Sequence, residues 1–456
     1  METASPIQAL QSTLAVTSIE DQADFKTTRE FLSKFTDLEV LRHWANHPLP
    51  NAPKLLEEAV GVAPDLEWLT QDPKNKIIDQ IEGKITQIGW TVFSMSILKE
   101  CHTPAEFPAL IKKAAIYYVR VIENCHLRAK EHFLKDTEIN PLYCPTRFVS
   151  EAEAKTILSE VLDNQVTADG RKRPVVLIGH GWNFDEQKLN QQWGFKFKNL
   201  DSILFKVRSL GRVAAMAGVI PWPNRDLGEG LLKLDEMLRG FQIDLTNMWR
   251  HDGANDALYQ MTLAFLIVLF PILYPGTTAG FPTDASIAGL SINDIWTDVA
   301  SNKDNAAPVD KGFARFCFYC DATDDHDGTD ESPCPSKESD TILCKLCANA
   351  IGKKNKRYRD RAHGHQTHRC TLQWSHQCRK FPEVIKPADW SLDDKRALTR
   401  GMALADDAMI GAVFRKNIIG EGPIDWTVVA DEEKRLEFEA TQYSSGEEKE
   451  LDEDEE

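Results

Sequence analysis

At 456 residues the chain is too long for one ordinary core, so two or three domains are expected. A hydrophobic fraction of 42% and a charged fraction of 27% lie in the range of soluble globular proteins. A net charge of −17 argues against bulk attraction to nucleic acid, although residues 447–456 alone carry eight carboxylates and one lysine and read as a solvated acidic tail.

The opening residues, METASPIQALQSTLAV, lack a charged region followed by a long apolar core, so no secretory signal is expected. Residues 1–55 read as an amphipathic helical segment, for example over Phe25–Trp44, ending at Pro48, Pro50 and Pro53. Such a segment would cover a sheet edge or contact a protein partner. From 56 to 280 the pattern changes to short apolar runs between helical stretches, the mark of an α/β domain. Ile85–Ser94 alternates as a strand does, and Pro174–Gly179 is a continuous apolar run expected of a strand covered on both faces. Residues 104–142 read as a helical insertion, and Val166–Lys172 as a polar loop. Leu227, Leu231, Leu234 and Leu238 follow helical spacing. Ala257–Phe270 stops at Pro271, short of the roughly 20 residues that span a bilayer, so a buried helix and no membrane association are expected. Residues 281–311 read as a linker, 312–380 as a cysteine- and histidine-rich module, 381–440 as a mixed segment and 441–456 as the disordered tail. Ten cysteines occur, seven of them between Cys317 and Cys378, which without a signal points to metal rather than disulfides and to an intracellular protein, cytoplasm or nucleus left open.

Four acidic patterns follow one another. Asp65-Leu66-Glu67 places two carboxylates on one side of a strand, because strand side chains alternate. GHGWNFDEQKL carries His180 and Asp185 at the exit of a buried strand. Asp201 opens DSILFKV and reads as a helix N-cap, while His180 reads as a structural histidine closing the turn. RHDGANDALYQ sets His251 five positions before Asp256 at the start of the buried helix. Taken singly, a D-x-E pair is more often solvated, and a lone histidine more often structural, than functional. The ordered combination is different. Clustered carboxylates repel and resist desolvation, so they call for cations, and hard oxygen ligands suit Mg²⁺ or Mn²⁺. Two such ions can hold both the attacking water and the leaving oxygen of a phosphodiester, with a nearby histidine as base.

The order D-x-E, GH-x4-D, H-x4-D resembles the three exonuclease motifs of the DEDDh superfamily, which has the ribonuclease H-like fold. Within it, the wording DLEW, ITQIGWTVF, YYVRVIENCHLRAKEHF, RFVSEAEA, PVVLIGHGWNFDEQKL and HDGANDALYQ is most similar to a fungal branch linked to mRNA export and to Argonaute-dependent silencing. The resemblance covers about residues 58–270. It implies an α/β fold with a mixed sheet flanked by helices, to which the cysteine spacing, outside the resemblance, adds a C-terminal zinc-binding module. It also implies 3′-to-5′ exonuclease activity with RNA favoured over DNA, metal ligands Asp65, Glu67, Asp185 and Asp256 for two Mg²⁺ or Mn²⁺ ions, and His251 as the general base. Pro64 directly before Asp65, and GHG where many relatives have GHN, depart from the pattern without removing a ligand.

Beyond the resemblance, Cys317-x-x-Cys320 and Cys344-x-x-Cys347 are separated by 23 residues and are expected to clasp one structural Zn²⁺ between them. The stretch between them is too polar for a core and reads as a surface excursion. His363, His365, His368, Cys370, His376 and Cys378 offer ligands for a second ion or for exchange with the first, with no set distinguishable in sequence. The basic run 353–361, with Tyr358, reads equally as a phosphate grip or a solvated helix face. Three functions compete: the exonuclease, an exonuclease-fold adaptor in RNA processing or silencing that docks through the zinc module, and a zinc-finger nucleic-acid binder beside an inert α/β domain.

Overall fold

The computed structural model describes residues 19–68, 83–125, 141–163, 165–167, 170–221, 232–246, 252–306, 308–317, 319–326, 328, 332–339, 341–348, 362–367 and 370. His251, Leu227, Leu231, His368, His376, Cys378, the basic run 353–361, the segment 381–440 and the acidic tail lie outside them. Chain contacts separate one unit, 1–70 with 83–316, from a second, 71–82 with 317–456.

The first unit is built on a six-stranded mixed sheet in the order β4-β3-β2-β1-β5-β6. Its strands are β1 (Val60–Trp68), β2 (Ile85–Ser94), β3 (Ala115–Val121), β4 (Thr146–Val149), β5 (Val175–Ile178) and β6 (Ile203–Val207). Strands β1, β2 and β3 run antiparallel in sequence, whereas β4 is parallel to β3, and β5 and β6 continue parallel to β1. Short β5 is buried at every residue, as its Val-Val-Leu-Ile run requires of a strand with helices on both faces.

Helices cover the two faces. On one lie α1 (Ile19–Leu32), α2 (Asp37–Arg42), α3 (Phe107–Ile111), α6 (Leu210–Met216), α7 (Leu234–Gly240), α8 (Gly253–Val268), α9 (Phe270–Leu273) and α10 (Ile292–Ser301). On the other lie α4 (Glu151–Asp163) and α5 (Trp182–Trp193). All residues of α8 are buried, which is why its second half, Leu263–Val268, is apolar on every side and not amphipathic. The N-terminal helices share its core through Phe25, Leu32, Leu41 and Trp44. Helix α1 lies against the edge strand β6, and its Arg29 Nη1 donates to the Asp201 carbonyl at 2.7 Å. A capping box starts α2: Thr36 Oγ1 accepts from Glu39 N at 3.3 Å, and Glu39 Oε2 accepts from Thr36 N at 2.8 Å.

Three expectations are corrected here. Among its described residues, the expected helical insertion, 104–142, is helical over Pro104–Ile111 and then forms β3, an interior strand. Ile116 and Tyr118 face one core while Val119 and Val121 face the other, a period of two that overrides any helical reading. The expected linker, 281–311, instead holds α10. Trp296 is 2% exposed, packs its ring tilted against Tyr259 with centroids 4.7 Å apart and donates from Nε1 to Thr262 Oγ1 at 3.2 Å. A capping box at Ser291 and the apolar positions Ile292, Ile295 and Trp296 are what fold it. Asp201 caps no helix: it is an exposed turn residue before β6, because the β-branched Ile203 and Val207 of that segment pack as a strand. Residues beyond the linker also belong to this unit, since Phe313 and Phe148 exchange backbone hydrogen bonds of 2.8 Å beside β4.

Among the described residues of the second unit, regular structure is limited to the short helical turns Pro335–Glu338, Lys345–Ala348 and Ala362–Gly364. No described helix in the chain is long and apolar enough to cross a membrane.

Candidate metal centre

The carboxylates come from β1, α5 and α8. On β1, Asp65 and Glu67 share one face while Leu66 between them enters the opposite core. Asp65 pairs with Gly89 of β2, and this pairing is where α8 docks. A Cβ on Gly89 would stand 2.0 Å from Ala254 N, and one on Gly253 would stand 2.7 Å from Gly89 N and 3.0 Å from the Asp65 carbonyl. Two facing glycines therefore let the first turn of the helix lie directly on strand backbone.

That docking aims the helix. Asp252 caps it, Oδ1 accepting from Ala254 N and Asn255 N at 3.1 Å each. One turn later Asp256 reaches the β1 pair, so that carboxylate oxygens of Asp65, Glu67 and Asp256 all lie within 4.8 Å of one another. A further turn on, Gln260 donates from Nε2 to Asp65 Oδ1 at 2.8 Å and accepts from His180 N at 2.9 Å through Oε1. The turn at the exit of β5 is thus closed by the His180 amide and not by its ring, whose basicity burial lowers. Gly181, at φ +80°, then turns the chain into α5 and presents Asp185 in its first turn, 8% exposed, where it accepts from the Leu66 amide. The preceding Phe184 is 67% exposed.

Electrostatics single out this cluster. Burial first, and then the carboxylates of Asp256, Glu67, Asp185 and Asp252, hold Asp65 well above the usual carboxylate range. Burial, with Glu67, does the same to Asp185, and burial raises Asp252 to about 7. Negative charge converging from three elements is stable only when protons or cations offset it. An all-oxygen donor set selects hard divalent ions such as Mg²⁺ or Mn²⁺, so the residues fit the ions they are expected to hold.

Residues 61–267, a little under half of the chain, match the family described as DNA polymerase III subunit epsilon-like, C-terminal domain. The match supports a DEDDh exonuclease-like domain. It runs from β1 almost to the end of α8 and contains Asp65, Glu67, Asp185, His251 and Asp256. No curated protein matches the chain. A domain of this kind suggests a nuclease, a divalent-metal requirement and nucleic acid as the partner.

Of the expected exonuclease site residues, the structure brings together Asp65, Glu67 and Asp256, with Asp185 acting on the same charges. Gln260 and Asp252 were not foreseen. The four-residue step from Asp256 to Gln260, one helical turn, is the signal that marks Gln260. The cysteine expectation is corrected: the two CxxC pairs do not form one group. Cys317 and Cys320 gather with His326 and Cys334, while Cys344 and Cys347 gather with His365 and Cys370. The stretch between the pairs is therefore no mere excursion. It carries a histidine and a cysteine, His326 and Cys334, that fold back on the first pair and complete a group that could hold a metal ion. His363 points elsewhere, its Nδ1 3.0 Å from the Ile342 carbonyl.

Proposed function

We propose that the DEDDh-like domain is a metal-dependent 3′-to-5′ exonuclease that hydrolyses phosphodiester bonds, with RNA favoured over DNA. The observation that carries this reading is the convergence of Asp65, Glu67 and Asp256 oxygens within 4.8 Å, from a strand and a buried helix held by the Gly89–Gly253 contact. The antiparallel run β1–β2–β3 continued by parallel β5 and β6 supports a ribonuclease H-like arrangement around it. Two divalent cations, when bound, would offset charge at the scissile phosphate and ease ionisation of the attacking water.

The protein's own residues do the rest. Asp65, Glu67, Asp185 and Asp256 would hold the cations, and Gln260 fixes the orientation of Asp65. His251, set just before the cap of α8, takes the proton of the attacking water as its oxygen joins phosphorus and the bond to the leaving oxygen breaks. The preference for RNA rests on the resemblance to the fungal branch of the superfamily.

The test is shortening of single-stranded RNA and DNA with free or blocked 3′ ends in Mg²⁺ or Mn²⁺. Loss from free 3′ ends only, abolished in Asp65→Ala and His251→Ala, is the expected outcome. Absence of metal-dependent cleavage, or cleavage indifferent to both substitutions, would overturn it.

A further inference from the structure

Eight side chains in the second unit form two groups of like composition. Each group offers one ligand atom per residue, and within each group all of those atoms lie within 4.8 Å of one another. We propose that this module holds two zinc ions in separate, consecutive sites of three cysteines and one histidine each. Cys317, Cys320, His326 and Cys334 form the first, and Cys344, Cys347, His365 and Cys370 the second.

Four independent features support the assignment. The first is sulfur geometry. Cys347 Sγ and Cys370 Sγ stand 3.4 Å apart, beyond the roughly 2.05 Å of a disulfide and near the roughly 3.8 Å edge of a tetrahedron with Zn–S of about 2.3 Å. None of the six cysteines is joined in a disulfide.

The second is the histidines. His326 turns Nε2 to Cys320 Sγ at 3.2 Å, and His365 turns Nε2 to Cys347 Sγ at 3.5 Å, so each ring directs a nitrogen into its own sulfur cluster. The other nitrogen of His326, Nδ1, lies 2.9 Å from Asp325 Oδ2. A carboxylate behind a ligating histidine fixes its tautomer and strengthens it as a donor.

The third is the backbone. Cys347 N donates to Cys344 Sγ at 3.4 Å. N–H donors around sulfur stabilise thiolate, the form that binds metal. Asp321, directly after the first pair, has φ +62°, and its amide closes the turn on the Cys317 carbonyl at 2.7 Å.

The fourth is the shortage of other core among the described residues. Their buried apolar cluster here consists of Cys317, Cys334 and Ile342, and two of these three are proposed ligands. Burial of this extent does not offset the conformational entropy of ordering the segment, whereas ion binding does. Because each ion closes its own loop, 317–334 or 344–370, the two sites load independently.

Metal content of the full chain tests this. Protein purified with zinc and dialysed against excess Mg²⁺ is expected to retain two zinc ions by plasma mass spectrometry. Cys334→Ser and Cys370→Ser should each retain one ion and the double variant none, while Asp65→Ala/Asp256→Ala keeps two. That last variant separates this count from the carboxylate centre. Zinc X-ray absorption of the unaltered chain should show an average of three sulfurs and one nitrogen per ion, a reading that needs no variant to fold. One ion per chain with four sulfurs, no bound zinc, or two ions unaffected by either serine substitution would overturn the proposal.

Discussion

Gln260 and Asp65 lie 195 positions apart and are joined by a 2.8 Å hydrogen bond that ties the buried helix α8 to the acidic strand β1. The same amide side chain holds the His180 amide, so one residue registers the exit of β5, the strand carboxylate and the helix against one another. Groups that orient metal ligands typically change activity or affinity by 10–100-fold. Gln260→Leu is therefore expected to reduce nuclease rate by about that factor and raise the Mg²⁺ concentration needed for half-maximal rate, with little change in far-ultraviolet circular dichroism. An unchanged metal titration would show that Asp65 is positioned without it.

Gly89→Ala tests the docking of α8. The added Cβ would stand 2.0 Å from backbone nitrogen, where no side chain can swing aside. Overpacking of this kind costs on the order of 1–3 kcal/mol or more, and here it separates Asp256 from Asp65. Both a lower melting temperature and loss of cleavage are expected. A variant that melts normally and cleaves normally would mean that the strand and helix can part without harm.

Stability of the metal-free protein should fall as pH rises. Asp65 and Asp185 are raised, and Asp252 moves from 3.8 to about 7, so between these values the folded state holds more protons than the unfolded. The slope of unfolding free energy with pH is then negative through that window. Thermal unfolding in chelator should show it, Asp252→Asn should flatten it, and the gain from added Mg²⁺ should grow with pH because cations replace the protons. A metal-free melting temperature that rises between pH 4 and 7 would contradict the arrangement.

Phe184 stands 67% exposed immediately before Asp185, an unusual setting for an aromatic ring. Stacking of a nucleobase on an exposed ring contributes about 1–3 kcal/mol. Phe184→Ala should raise KM for single-stranded substrate by roughly 5–150-fold, leaving melting temperature within a degree or two. An unaltered KM would place the substrate elsewhere.

Truncation after residue 280 should fail, whereas ending after residue 316 should give a folded first unit. The shorter chain lacks Ile287, Ile292, Ile295 and Trp296 from the core; loss of a buried tryptophan alone costs about 3–5 kcal/mol. Soluble yield and cooperative melting of the two lengths decide the point.

The sequence by itself determined the elements whose signal is local. β5 reads from its unbroken apolar run, α8 from its apolar length, and the Asp65–Glu67 pair from the alternation of a strand. The order of the acidic motifs was likewise legible, and with it the likeness to DEDDh exonucleases that the family match supports. The tertiary structure decided what depends on approach through space. β3 is too short for its period to stand out until β2 pairs with it, and α10 looks like linker until Trp296 meets Tyr259. Which cysteines share an ion is likewise invisible in spacing alone: CxxC fixes pairs, while the fold brings His326 and Cys334 to one and His365 and Cys370 to the other. The metal centre follows the same rule. Its carboxylates are written along the chain, but their convergence depends on two glycines whose missing side chains let a helix rest on a strand.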